Sequence, residues 1–335
     1  MNVNDQRLTQ QLLAWRQGDT LSGIRFRHVA RRDLPLSQVS KRIAPDLLAA
    51  APSDEIIVTT EPQALVIVSQ TCDIVRAPEH LPFIDVCAVV ELSSDISSEA
   101  RRGRRPRYAP LPALGDAAFA DLCQTMSVEK SVLLDVEPSR GVVTTVDQRT
   151  FARALARYRA RFAFPDAFTD AVDALRRHLQ ALASKQTPEA RLEGMVRSIR
   201  AEPLGSDGWE AEHVEVRLYF VVDEEALPLG YSTSSATPVL PADMQQLCTA
   251  LCETVRNQTS SQREAALNLG WQRLADHWRS KARLGSTADP KQTVQIVEAV
   301  AISESEMTVA QYVRSEQLDF DHLSEASPGS APSAL

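Results

Sequence analysis

A run of apolar, mostly β-branched residues, Ala64-Leu65-Val66-Ile67-Val68, ends in five polar or reactive side chains, Ser69-Gln70-Thr71-Cys72-Asp73. Such a run reads as a strand buried on both faces, so the chain around it must build a sheet with cover on each side. The polar residues then emerge together at the strand's carboxyl end, the kind of place where a rigid scaffold presents functional groups. Ser69, Gln70, Cys72 and Asp73 are therefore the candidate catalytic residues. A cysteine nucleophile needs a base, a cation or a helix amino end to favour its thiolate, and Asp73 beside Cys72 works against it. That chemistry requires His28, His80 or an arginine brought in by folding. The simpler alternative makes Cys72 a small packed residue and Asp73 a turn cap.

The surrounding pattern predicts an α+β protein. Residues 82–92 form a second strongly apolar strand, expected to pair with the first because consecutive strands are usually neighbours. Residues 23–29 alternate apolar and basic side chains, and 55–60, 130–136 and 141–146 read as further short strands. Residues 1–147 are thus expected to be a mostly-β domain with a barrel-like sheet. Helical spacing then takes over, with Phe151, Leu155, Tyr158 and Phe162 on one side of a first helix, Phe168 to Leu182 in a second and Leu192 to Ile199 in a third. The segment 148–204 is read as helical, linking or covering the two parts. Residues 205–324 are expected to be a small α+β domain with strands at 214–222 and 293–302 and a helix carrying Met244, Leu247, Leu251 and Val255. Trp271 and Trp278 read as isolated anchors. Residues 325–335, rich in Ser, Ala and Pro, read as a disordered tail.

Five arginines fall within seven positions, Arg101, Arg102, Arg104, Arg105 and Arg107, and Tyr108 follows. Guanidinium groups bind phosphates bidentately and an aromatic ring can stack on a base, so these six residues are the candidate nucleic-acid-binding set. Arg25, Arg27, Arg31, Arg32, Arg157 and Arg161 could extend the patch. The alternative is a solvated loop facing acidic groups. The formal net charge of -8 argues against a protein that coats polyanions generally, so any such binding must be local.

Other signals narrow the field. No phosphate-cradling G-x-x-x-x-G-K-[ST] loop, dinucleotide fingerprint, H-E-x-x-H or G-x-S-x-G occurs, and no cofactor is expected. Five dispersed cysteines suit reduced thiols. Cys72, Asp73, His80 and Cys87 match no zinc spacing, and Cys248 with Cys252 reads as core packing, so no metal is expected. The start lacks a cationic, apolar leader and no run approaches a membrane span, which predicts a cytoplasmic protein with no membrane partner. Arginine in excess of lysine and abundant alanine suit a bacterial source.

Gln17-Gly18-Asp19, followed by Ala64-Leu65-Val66-Ile67-Val68-Ser69, resembles the opening of the PemK/MazF-type growth-inhibitor family, where a Q-G-D-I turn starts an SH3-like barrel and an R-P-x-L-V-L-S strand follows. Here Pro62-Gln63 replaces the arginine-proline, and the two segments stand further apart. The resemblance covers about fifteen positions and implies a small SH3-like barrel with a surface suited to RNA or DNA. The resulting expectation is a protein that binds or processes nucleic acid, as effector or accessory of a bacterial defence or toxin-like system. The alternatives are an enzyme using the Cys72/Asp73 strand end on a small substrate, or a protein-assembly component whose carboxyl-terminal domain makes the contacts.

Overall fold

A computed structural model describes residues 3–31, 55–134, 136–183, 185–228, 238–257, 263–286 and 292–319. Arg32 and the expected tail at 325–335 lie outside these. The chain is mixed α+β and forms two compact units, one within Met1–Ala160 and one spanning Arg161–Glu325. The boundary between the units falls inside residues 148–204, between Ala160 and Arg161. No helix among the described residues is long and apolar enough to cross a membrane.

In the first unit, helix α1 (Val3–Leu12) leads into β1 (Asp19–Leu21), and β2 (Phe26–Arg31) pairs with β3 (Glu55–Thr60) as a separate antiparallel ribbon. The expected central strand is β4 (Leu65–Ile67), shorter than its apolar run, because residues 71–74 turn into the helical α2 (Thr71–Ile74). Then come β5 (Phe83–Glu91), α3 (Ser94–Arg101), β6 (Tyr108–Pro110), β7 (Ala118–Glu129), β8 (Ser139–Arg140) and α4 (Thr145–Arg159). Six strands pair antiparallel in the order β6-β7-β5-β4-β1-β8 and curl into a half-barrel. Strand β4 is buried on both faces, as its composition implies. Leu65 and Ile67 pack with Trp15, Phe26 and Val86, whereas Val66 packs with Leu111, Leu122 and Phe151.

Strand β7, the longest of this unit, breaks the two-residue rhythm that reveals strands in sequence. Its pairing with β5 shifts register between Cys87 and Ala88, which face Thr125 and Asp121 respectively, so Leu122, Cys123 and Gln124 bulge out of the ladder. Two of the expected strands are absent. Residues 130–133 make a 3-10 turn that seats Leu133 in the core. Residues 141–146 contain the start of α4, where Thr144 and Asp147 form a capping box.

The second unit comprises α5 (Asp166–Ala183), α6 (Pro188–Glu193), β9 (Val196–Leu204), β10 (His213–Val222), α7 (Met244–Arg256), α8 (Arg263–Arg279), β11 (Gly285–Ser286), β12 (Thr293–Ser303), α9 (Val309–Arg314) and β13 (Glu316–Gln317). Its sheet runs β11-β12-β10-β9-β13, with β10 and β12 parallel and the other pairs antiparallel. A parallel pair needs a long crossover, which α7 and α8 supply. Helices α5 and α8 bury Phe168, Leu175, Trp271 and Trp278 with the inner faces of β9, β10 and β12. Two expectations fail here. Ile199, assigned to a helix, lies in β9, where pairing with β10 overrides local helical spacing. Trp271 and Trp278 are members of a 17-residue helix rather than isolated anchors.

On the unit's edge, buried Glu202 gathers three donors: Tyr219 Oη at 2.6 Å, Arg314 Nε at 2.8 Å and an Arg217 guanidinium nitrogen at 3.2 Å. Burial alone would raise its carboxyl, but the Tyr219 hydrogen bond and the two arginines outweigh that and hold it below the ordinary value of 4.5. An acid with a depressed folded-state value stabilises the fold above its unfolded value and loses that contribution as protons bind. The wild type should therefore lose stability as pH falls from 4.5 through the lower folded value. Glu202→Gln should flatten that part of a stability-against-pH curve measured by urea unfolding; an unchanged slope would count against the network.

Candidate functional site

The two segments that carry the family resemblance meet in space. Strand β1 pairs with β4, the Gly18 N–H donates to Ile67 O at 2.9 Å, and the Gln17 side-chain amide donates to Val68 O at 2.8 Å. The Gln17 N–H also reaches Thr71 Oγ1 at 3.1 Å. Asp19 closes the turn by accepting from the Arg16 N–H at 2.7 Å and pairing with Arg140. Burial pushes the Asp19 carboxyl above its ordinary value, more than Arg140 and the backbone bond pull it down.

The expected catalytic residues at the strand end are occupied in building this turn. Ser69 Oγ accepts from the Asp85 N–H at 2.8 Å, and Gln70 is the residue that precedes α2. Cys72 is exposed, with its sulfur 3.5 Å from Gln70 Oε1 and 3.9 Å from Asp73 Oδ1. Both neighbours are acceptors that hold the S–H in place, whereas activation of a nucleophile takes a base or a cation. Arg76 sits 3.8 Å from Asp73, on the carboxylate rather than on the thiol. Lys130 is fully buried and donates at 2.7 Å to the carbonyls of Asp73 and Arg76, so it caps the end of α2 from below. Burial pushes its ammonium below the ordinary lysine value. The strand end is thus an accessible thiol on a well-braced turn, and no acid-base pair is assembled there among the described residues.

The arginine loop also differs in detail from its sequence reading. Arg101 pairs with Asp116 at 2.8 Å, Arg105 with Glu99 at 2.6 Å, and Arg107 grips the buried Asp121 with two bonds at 2.8 and 2.6 Å. Pairing with Asp121 raises the Arg107 value further. Tyr108 is 8% exposed and packs with Leu92, Ala100 and Phe119, so its ring is a core group and no platform for a base. Arg102 is exposed and has no ion-pair partner among the described residues; Arg104 is half-buried. The acidic partners therefore shape the loop and offset at least three of its five charges.

What the loop lacks, helix α4 provides. Phe151, Ala154, Leu155 and Tyr158 face the core, and the opposite side carries Arg149, Arg153 and Arg157 at i, i+4 and i+8. Arg149 and Arg153 are exposed and have no ion-pair partner among the described residues. Arg157 joins the two segments, because its guanidinium lies where a Cβ on Gly103 would approach to 2.7 Å. The stripe and the loop make one surface. Arg149 was not singled out from the sequence, although the four-residue spacing was there to be read.

The sulfur and histidine combinations weighed for metal are not assembled. Among the described residues, no cluster of three metal-capable donors includes Cys72, Asp73, His80 or Cys87. Cys248 and Cys252 are core residues, and burial pushes the Cys248 thiol up to about 12. Comparison with family models, curated proteins and solved structures returns no match for this chain.

Proposed function

We propose that the first unit binds nucleic acid through the arginine stripe of α4 and the adjoining loop, with Arg149, Arg153 and Arg102 as the principal phosphate contacts and Arg104 and Arg157 beside them. The observation that carries this reading is the meeting of Gly103 with Arg157, which makes two arginine-rich segments continuous. Like charges four apart on a helix cost about 0.2–0.5 kcal/mol per pair, and α4 holds two such pairs in one row. A phosphate backbone relieves that repulsion and releases its own counterions. Ion pairs to Glu99, Asp116 and Asp121 fix the loop in advance, which lowers the ordering cost of binding. The PemK/MazF resemblance makes single-stranded RNA the first ligand to test, and a strand end with no acid-base pair among the described residues favours binding over cleavage.

The test is a titration of labelled single-stranded RNA, single-stranded DNA and duplex DNA across salt concentrations. Three phosphate contacts predict a log–log salt slope of roughly -2 to -3. The double variant Arg149→Glu, Arg153→Glu should weaken binding at least tenfold and make the slope shallower by about two. Both side chains are exposed, so its stability should stay within about 0.5 kcal/mol of wild type. No binding at low salt, or binding indifferent to the double reversal, refutes the reading.

A further inference from the structure

The second unit contains a constellation unrelated to the arginine surface. His178 on α5, Glu189 on α6 and His277 in the last turn of α8 bring one imidazole or carboxylate donor atom each within 4.8 Å of one another. His178 Nε2 stands 2.9 Å from Glu189 Oε1, and the two imidazole rings lie 6.3 Å apart, inclined at 76°. The elements are anchored by burial. Leu175, Leu179 and Leu182 pack the same side of α5 that carries His178, and fully buried Trp278 fixes the helix end next to His277. The Trp278 indole N–H also donates to Glu189 Oε1 at 3.0 Å and so orients the carboxylate.

We infer that His178, Glu189 and His277 form a binding site for a divalent transition metal of the zinc class, with at least one coordination position left for water or a ligand oxygen. Tetrahedral zinc with bonds of 2.0–2.1 Å puts its donor atoms roughly 3.3 Å apart, so closure asks side chains to move by little more than about 1.5 Å. Two imidazoles and a carboxylate suit zinc, cobalt or nickel, whereas magnesium and calcium take oxygen ligands almost exclusively. Three protein ligands with an open position is the pattern of catalytic rather than structural zinc. The indole bond to Glu189 is the kind of outer contact that holds a ligating carboxylate in place. Lys281, one turn beyond His277, is an opposing charge that weakens the site without blocking it.

The experiment is a titration of the full chain, stripped with a chelator, with zinc in competition against a chromophoric chelator, and with cobalt followed by its visible ligand-field bands. The expected result is one equivalent bound per chain, with cobalt bands of four- or five-coordinate intensity. His277→Gln, at a half-exposed side chain outside the core, should weaken binding at least tenfold, and His178→Gln should do the same. Circular dichroism checks that each variant is folded, and Cys248→Ser with Cys252→Ser should bind as wild type. Absence of binding overturns the inference, and so does binding that survives both histidine variants or is lost in the cysteine variant.

Discussion

Trp271→Ala is expected to destabilise the protein by about 4 kcal/mol and to lower its melting temperature by roughly 10 °C. The indole is fully buried among Leu251, Leu267, Leu274 and the inner face of the second sheet, so its removal leaves a large cavity in a region that has little room to collapse. Collapse is restricted because α7 and α8 already touch at Gly270, where even a Cβ would come to 2.8 Å from Leu251. The Trp271 N–H also donates to Ala226 O at 3.0 Å, and the truncation strands that buried carbonyl without its partner. Leu13→Ala supplies the contrast, since this side chain is 64% exposed and should change stability by no more than about 0.5 kcal/mol. Thermal unfolding followed by circular dichroism measures both. A loss below about 2 kcal/mol for Trp271→Ala would contradict the packing described.

The same helix shows where sequence patterning stops being informative. Leu267, Trp271, Leu274 and Trp278 follow helical spacing, but Ala265, Ala266 and Leu269 blur the stripe within a polar stretch, so the two tryptophans look solitary. Strand β4 was legible because burial on both faces leaves no polar position to interrupt it, whereas β7 hid behind a bulge that changes which face its side chains present. Residues 195–199 have helical spacing and still become strand, because the partner that settles their conformation, β10, arrives only in the folded chain. The arginine loop announced its charge, but its acidic partners Glu99, Asp116 and Asp121 were not marked as such, and they pair with three of its five arginines. His178, Glu189 and His277 come from three helices with no common spacing, and only tertiary packing brings them together.

Gly18→Ala is expected to cost about 3 kcal/mol, the second-largest effect, and the two parts of that cost are separable. Gly18 has φ +88°, which an alanine adopts at a penalty of about 1–2 kcal/mol, and its added Cβ would collide with Val142 Cγ2. The backbone cannot yield, because the Gly18 N–H is bound to Ile67 O and the Gly18 carbonyl accepts from the Gly141 N–H at 3.1 Å. Moving it would open the seam that joins β1 to β4 and β8, the seam that also braces Ser69 to Asp73. Gly23 isolates the conformational part, since it has φ +78° and no atom within 4 Å of its would-be Cβ, so Gly23→Ala should cost only about 1–2 kcal/mol. In a Val142→Ala background the steric part disappears, and Gly18→Ala should then cost about what Gly23→Ala does, a coupling that a double-mutant cycle reads directly. Equal costs for Gly18→Ala with and without Val142 would mean that the close approach between the turn and Val142 does not exist.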